Sequence, residues 1–129
     1  MCQILFIKIL YMNNFEKQNS WVYLYRRNTC MRVVSHRKLK EFYGQRGREE
    51  AKPALERWYQ IAENARWRSF TDIKKDFSSV DSVGNQRYVF NIKGNDYRLV
   101  VVTKFLIGYV FIRFVGTHSE YDKIDVKTI

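Results

Sequence analysis

The fold is decided by residues 87 to 115, which read RYVFNIKGNDYRLVVVTKFLIGYVFIRFV. Three runs of β-branched and aromatic residues are separated by two short turn signals, Gly94-Asn95 and Leu106-Ile107-Gly108. Gly-Asn is a favoured two-residue hairpin loop, and the second turn again contains a glycine. The stretch therefore predicts a three-stranded antiparallel meander.

The two loops determine which side chains share a face of this sheet, because side chains alternate along a strand. The face predicted to form the core carries Tyr88, Phe90, Ile92, Tyr97, Leu99, Val101, Val110, Ile112 and Phe114. The opposite face carries Asn91, Arg98, Lys104, Tyr109 and Arg113, mixed with Val89, Val100, Val102 and Phe111. In this register Arg98 lies opposite Asn91, and Leu99 lies opposite Phe114. The second face is thus predicted to be an open surface, partly apolar and partly cationic.

Two helices are predicted upstream of the strands. From Ser35, a residue suited to a helix N-cap, apolar residues recur at one-face helical spacing until Gly44. A second helix is predicted by the spacing of Leu55, Trp58 and Ala62, which are expected to be buried. Residues 67 to 77 are expected to form a connection with one short helical turn.

Short elements complete the predicted domain at both ends. Met31 to Ser35 favours a first strand, and Thr117 to Ile124 favours a closing helix or turn with Thr117 as its cap. We therefore expect an α+β fold in which two N-terminal helices pack on a small antiparallel sheet, with a short C-terminal helix. This domain is expected to span residues 31 to 129. An aromatic, asparagine-rich extension precedes it, residues 1 to 30, for which the sequence indicates no role.

Composition narrows the classes of function. The chain has 129 residues and a formal net charge of +10, so an anionic partner such as nucleic acid is expected. Cys2 and Cys30 have no metal-ligand spacing to either histidine, and no carboxylate cluster suits magnesium. Neither a metal nor another cofactor is expected. Because thiols are few and no segment approaches the roughly 20 apolar residues of a membrane helix, we expect a soluble, cytoplasmic protein with no membrane partner.

Several charged and polar residues of the last two strands suit RNA chemistry. Arg98 and Arg113 lie within otherwise apolar strands, where a guanidinium needs an anion such as a phosphate. His118 follows the last strand, with Tyr121 and Lys123 close behind. Metal-free RNA cleavage needs a base for the ribose 2′-hydroxyl, cations for the phosphorane and a proton for the leaving 5′-oxygen. These side chains can supply all three.

Two blocks of sequence carry a family resemblance. They are FNIKGNDYRLV, residues 90 to 100, and FIRFVGTHSEYDK, residues 111 to 123. In this order and spacing they resemble the HigB-like mRNA interferase toxins of the RelE-like superfamily, and a more diffuse similarity extends back to Met31. The resemblance implies a RelE-like fold and the toxin of a type II toxin–antitoxin pair. It implies a metal-independent endoribonuclease that cuts mRNA on the translating ribosome by 2′-hydroxyl attack on the adjacent phosphate. It also implies a helix-turn-helix antitoxin of the HigA type, bound in a toxin–antitoxin hetero-oligomer.

The resemblance also assigns residues to the site. The positions that fall on the family's motif are Asn91, Arg98, Arg113, His118 and Tyr121, with Lys104, Asp122 and Lys123 as weaker candidates. Arg98 and Arg113 are predicted to hold the scissile phosphate, with His118 as general acid or base. Tyr121 is predicted to stack on a base or to share in proton transfer. The residues predicted to bind RNA are Asn91, Lys104, Lys123 and, from the sheet face, Tyr109.

Two other interpretations of the same surface stay open. A noncatalytic RNA-binding module would use the cationic sheet face, with Tyr109 and Phe111 as stacking platforms. Alternatively, the basic surface would be a protein interface for an acidic partner such as an antitoxin. Cleavage of RNA distinguishes the nuclease from both alternatives.

Overall fold

The computed structural model of the chain describes residues 30 to 129, so all but the last residue of the predicted extension lies outside the described residues. In chain order the elements are β1 (Arg32–Val34), α1 (His36–Tyr43), a 3₁₀ turn (Glu49–Ala51), α2 (Lys52–Asn64), α3 (Phe70–Asp76), β2 (Asp81–Gly84), β3 (Arg87–Ile92), β4 (Tyr97–Lys104), β5 (Tyr109–Thr117) and α4 (His118–Tyr121). The predicted α+β class is confirmed.

Helices α1 and α2 pack on the sheet because each is apolar along one side. Their buried residues are Leu39, Phe42, Leu55, Trp58 and Ala62, as the helical spacing predicts. Burial of each large apolar side chain contributes roughly 1.5–3 kcal/mol. Helix α1 ends at Gly44, where the N–H donates to the carbonyl oxygen of Lys40 and a Cβ would approach that oxygen to 2.9 Å. Ser35 is the N-cap residue of α1, as predicted. Within the described residues, however, its side chain makes no capping hydrogen bond.

The sheet has the strand order β1-β5-β4-β3-β2. The predicted register of the first hairpin is confirmed, with Asn91 opposite Arg98 and Phe90 opposite Leu99. The prediction of a small, wholly antiparallel sheet is wrong, because β1 pairs in parallel with β5 and β2 adds a further antiparallel strand beside β3. Both edge strands are short, and β1 pairs with a strand far along the chain. Local alternation of apolar residues therefore could not reveal either pairing.

A β-bulge interrupts the second hairpin. Val101 pairs with Ile112, but the preceding residue of β4, Val100, pairs with Phe114, so Arg113 is an extra residue in β5. The predicted pairing of Leu99 with Phe114 is therefore wrong: Leu99 lies opposite Val115. Beyond the bulge, Val115 packs against the core, and Phe114 moves to the opposite face of the sheet. The other predicted core positions of the three strands are buried.

The second face of the sheet is not the open apolar surface that the sequence predicts. Val89, Val100 and Val102 are buried, although they point away from the core formed with α1 and α2. Residues 122 to 129, which we call the tail segment, follow α4 at one end of this face. At the other end, Arg87 donates to the main-chain oxygen of Ile129 at 2.9 Å. The tail segment therefore runs from α4 at one end of this face to Arg87 at the other, and the buried valines lie between these two ends.

Candidate active site

Arg98, His118 and Tyr121 meet where β4 begins and β5 ends. The Nη2 atom of Arg98 lies 3.1 Å from Nε2 of His118, and its guanidinium lies 5.0 Å from the centre of the Tyr121 ring. The second contact has the geometry of a cation–π interaction. Three of the four predicted catalytic side chains therefore form one cluster.

The hydrogen bond with Arg98 indicates the tautomer of His118. Arginine only donates, so the Nε2 atom of His118 must accept the hydrogen bond from Arg98. The ring proton then resides on Nδ1, which lies 3.3 Å from a carboxylate oxygen of Asp122. Asp122 thus lies on the Nδ1 side of the imidazole and Arg98 on the Nε2 side, and the His118 side chain is 51 % exposed. This arrangement leaves a solvent-accessible base beside a cation.

Arg98 has a donor that the protein itself leaves unused. Its Nε–H is buried and has no acceptor among the described residues. An unpaired buried donor costs roughly 1–3 kcal/mol, so native proteins rarely retain one without a functional or structural reason. An arginine commonly grips a phosphate through two parallel N–H groups. Trp58 Nε1 and Thr103 Oγ1 are unpaired in the same way, so the unpaired Nε–H of Arg98 does not by itself mark a ligand site.

The short helix α4 positions His118 and Tyr121. Thr117 and Glu120 form a capping box: the Glu120 N–H donates to Thr117 Oγ1 at 3.2 Å, and the Thr117 N–H donates to Glu120 Oε1 at 3.3 Å. Arg48, from the loop before α2, donates to the same Glu120 oxygen at 2.7 Å. A single turn of helix has little intrinsic stability, so these contacts are what hold the two site residues in place.

The strand that carries Arg98 is fixed at its start by a second polar network. The hydroxyl of Tyr97 donates to Glu50 at 2.8 Å, and Lys93 forms an ion pair with Glu50 at 2.8 Å. Hydrogen bonds from Lys93 and then Tyr97 lower the pKa of Glu50 below its usual value, and the same carboxylate raises the pKa of Tyr97. This network ties the first hairpin of the sheet to the 3₁₀ turn.

Arg113 lies apart from the cluster. Arg98 pairs with Gly116, three residues further along β5, so the two arginines are separated by about 10 Å along the strand. The exposed guanidinium of Arg113 lies 5.8 Å from the centre of the Phe111 ring. The bulge is the physical reason for this distance. Because Arg113 is an extra residue, Arg98 pairs with Gly116, whereas regular pairing would place it opposite Val115, one residue nearer to Arg113.

The predicted RNA-binding residues divide into two groups. Asn91, directly opposite Arg98, and Lys123, exposed two residues after Tyr121, lie near the cluster. Lys104 and Tyr109 pair with each other at the far end of the sheet, about 20 Å from Arg98 along β4. Lys104 is hydrogen-bonded to Gln86 there. The structure therefore does not gather the predicted site into one surface.

Three residues that shape the site, Asp122, Glu120 and Arg48, are weak candidates or no candidates in the sequence. Asp122 was only a weak candidate, although its i,i+4 spacing from His118 is the sequence signal of a contact on one helix face. The sequence also contains the capping-box pattern of Thr117 and Glu120. No local pattern indicates that Arg48 would reach Glu120, because the two lie 72 residues apart.

The described part of the chain provides neither a metal cluster nor a membrane span. Within residues 30 to 129, no group of three or more His, Cys, Asp or Glu side chains could hold a metal ion. In the same range, no helix combines the length and the apolar character needed to cross a membrane.

The α+β fold and the arginine–histidine cluster define a small basic domain with a site suited to an anion. The chain belongs to the HigB_toxin family, the RelE-like toxic component of a toxin–antitoxin system, because the model of that family matches residues 51 to 124. The match includes α2, the strands β2 to β5 and the whole of α4, which confirms the family resemblance. No curated protein sequence matches this chain.

Proposed function

We propose that this toxin is a metal-independent endoribonuclease that cleaves mRNA on the translating ribosome. The observation that carries the proposal is the chain of contacts from Asp122 through His118 to Arg98. It combines an oriented base with a cation that has an unpaired donor. The +10 net charge favours binding to a polyanion, and the family supplies the toxin role.

In this mechanism the RNA phosphate takes the place of His118 as the acceptor of Arg98. The freed Nε2 atom of His118 removes the proton of the ribose 2′-hydroxyl, and the 2′-oxygen attacks the adjacent phosphorus. The bond from phosphorus to the 5′-oxygen breaks, leaving a 2′,3′-cyclic phosphate. The leaving 5′-oxygen takes a proton from solvent or from the Tyr121 hydroxyl. Arg98 stabilises the negative charge of the phosphorane throughout.

The family membership gives the protein an antitoxin partner. We propose that this partner is a helix-turn-helix protein of the HigA type, which forms a hetero-oligomer with the toxin and blocks the Arg98 cluster. Asn91 and Lys123 would position the RNA on either side of Arg98, because both lie near it. Arg113 would contact RNA outside the cluster, whereas Lys104 and Tyr109 lie about 20 Å from Arg98 along β4 and take no part in the proposal.

The test is cleavage of a reporter mRNA during reconstituted translation, with cut sites mapped by primer extension. The variants Arg98→Ala and His118→Ala should each lower the cleavage rate on the order of a hundredfold or more. Lys75→Ala is the control, because it removes an exposed lysine of α3, away from the cluster. Full cleavage by both site variants would refute the assignment. RNA binding by the wild type without cleavage would favour the noncatalytic alternative.

A further inference from the structure

A groove lies beside the cluster, between α1 and the outer edge of β5. Its volume is about 390 Å³, within the roughly 300–1,000 Å³ of pockets that hold small organic ligands. Lys38 of α1, Arg48, Arg113, Phe114 and Glu120 contribute to its walls. The groove exists because β1 pairs with β5 only as far as Phe111, which leaves the later part of β5 facing α1.

The groove is continuous with the Arg98 cluster through Phe114. The ring of Phe114 covers Gly116, where an added Cβ would lie 2.5 Å from the ring. Gly116 is the residue directly opposite Arg98 on the neighbouring strand. Because adjacent strands are about 4.8 Å apart, the Phe114 ring over Gly116 lies about one strand spacing from the backbone of Arg98. Glu120, between His118 and Tyr121 on α4, also borders the groove.

The groove is cationic, although it contains two carboxylates. Glu120 is neutralised by Arg48 at 2.7 Å, and Glu41 by Arg37 at 2.7 Å. Across residues 30 to 129, neither Lys38 nor Arg113 forms an ion pair. Lys38 donates only a weak hydrogen bond of 3.3 Å to a main-chain oxygen of β5. Two positive charges are thus available to an anionic ligand.

The tail segment limits the route that RNA can take from the cluster. It crosses the second face of the sheet from α4 to Arg87, so RNA at Arg98 cannot lie along the buried valines of that face. The opposite direction leads over β5 into the groove. A single strand of RNA presents phosphates for cations and bases for aromatic rings, and the groove offers both contacts.

We propose that this groove is a subsite for the nucleotide that flanks the scissile phosphate, an inference that rests on the proposed ribonuclease function. The base stacks on Phe114, and Lys38 and Arg113 contact the phosphates next to the cleaved one. Arg113 is then a substrate-binding residue of the groove, with no part in stabilising the phosphorane. Arg48 holds the groove wall through its ion pair with Glu120.

The experiment measures binding of the full chain to a short RNA oligonucleotide that carries 2′-O-methyl groups and cannot be cleaved. Phe114→Leu keeps an apolar side chain but removes the aromatic face, and it should weaken binding roughly tenfold. Lys38→Gln should weaken binding several-fold, and Arg113→Gln by a similar factor. Lys40→Gln is the matched control, because it removes an exposed lysine of the same helix that does not line the groove.

A parallel cleavage assay separates the subsite from the nuclease function. With a reporter mRNA on translating ribosomes as the substrate, the groove variants should raise KM and leave kcat near the wild-type value. If the wild type cleaves RNA but Phe114→Leu and Lys38→Gln bind and cleave like Lys40→Gln, the subsite is refuted and the nuclease stands. If the groove variants lose only the binding of antitoxin, the groove is a protein interface and the subsite is again refuted. Failure of the wild type to cleave mRNA on translating ribosomes would refute the nuclease function and the subsite with it.

Discussion

Glu56 connects the first two helices through one carboxylate oxygen. It accepts a hydrogen bond from Tyr43 at 2.7 Å and lies 2.9 Å from Nε2 of His36, whose ring stacks on Tyr59 with centres 3.6 Å apart. Burial raises the pKa of Glu56, but the hydrogen bonds from Tyr43 and His36 and the nearby cations outweigh it. The net pKa is lower than the ordinary 4.5. Burial, followed by the contact with Glu56, raises the pKa of Tyr43 to about 12.

These shifts predict how the stability depends on pH. The folded protein favours the Glu56 carboxylate, so this contribution is complete above pH 4.5 and is lost as the pH falls through the lower folded pKa. The folded protein also favours the neutral Tyr43 phenol, whose contribution is complete below pH 10 and is lost as the pH rises towards about 12. Glu56→Gln should lower the free energy of unfolding by about 2 kcal/mol at neutral pH, and by much less in strong acid. Urea denaturation across pH measures both effects.

A matched control removes another carboxylate from the same pair of helices. Glu41 forms an i,i+4 ion pair with Arg37 in which the side chains are 58 % and 87 % exposed. Glu41→Gln should therefore change the stability by less than about 0.5 kcal/mol at any pH. Equal losses in the two variants would contradict a special role for Glu56.

At the residue scale, the sequence predicts the three side chains at the centre of the site but not the position of Arg113. Arg98, His118 and Tyr121 meet because β4 begins at the end of the sheet where β5 ends and α4 follows. The antiparallel order of the strands alone makes this predictable. The position of Arg113 depends on one inserted residue, and an inserted residue leaves alternation intact on both sides of it. The predicted pairing of β4 with β5 is therefore wrong by one residue from the bulge to the end of β5.

At the element scale, the bulge and Gly116 together determine where the Phe114 ring lies. The bulge turns Phe114 towards the outer face, and the missing side chain of Gly116 gives its ring a place to lie. A bulge next to a functional site often re-aims a side chain in this way. The strand thereby presents an aromatic ring beside Arg98 in place of the second arginine that regular pairing would have brought nearer.

A double-mutant cycle tests this pairing of ring and glycine. Gly116→Ala places a methyl group 2.5 Å from the Phe114 ring, so it should destabilise the protein by about 1–3 kcal/mol. In a Phe114→Ala background the same change meets no ring, and its cost should fall by at least about 1 kcal/mol. Thermal unfolding of the four proteins gives the interaction energy. Additive effects would show that the ring does not lie over Gly116.

The elements that the sequence predicted are those set by local patterns. Both helices before the sheet, the first hairpin and the capped helix α4 follow from apolar spacing, a Gly-Asn turn and a capping pair. The strand β2, read as DSVG, has no apolar alternation, and β1 depends on pairing with a distant strand. The tail segment is polar for most of its length. Its path along the second face of the sheet depends on hydrogen bonds to the β2–β3 turn and to Arg87 that no local pattern encodes.

At the scale of the whole molecule, the centre of the sheet is buried on both faces. Helices α1 and α2 pack on one face, and the tail segment runs from α4 to Arg87 on the other. Among residues 30 to 129, the end of the sheet that carries Arg98 and the groove beside it are open to a polyanion. In the proposed function, the net charge of +10 attracts RNA, and the Arg98 end of the sheet and the groove bind it.

The salt dependence of RNA binding distinguishes a binding site confined to Arg98 and the groove from a broad basic surface. Each phosphate neutralised on a single strand contributes about −0.7 to the slope of log affinity against log salt. Contacts with Arg98, Lys38, Arg113 and Lys123 predict a slope of about −3 for non-cleavable RNA between about 50 and 200 mM salt. Lys38→Gln should reduce the slope by about 0.7, whereas Lys75→Gln should leave it unchanged. A slope near −7 would require about ten phosphate contacts, and RNA would then spread across the outer face that we assign to the tail segment.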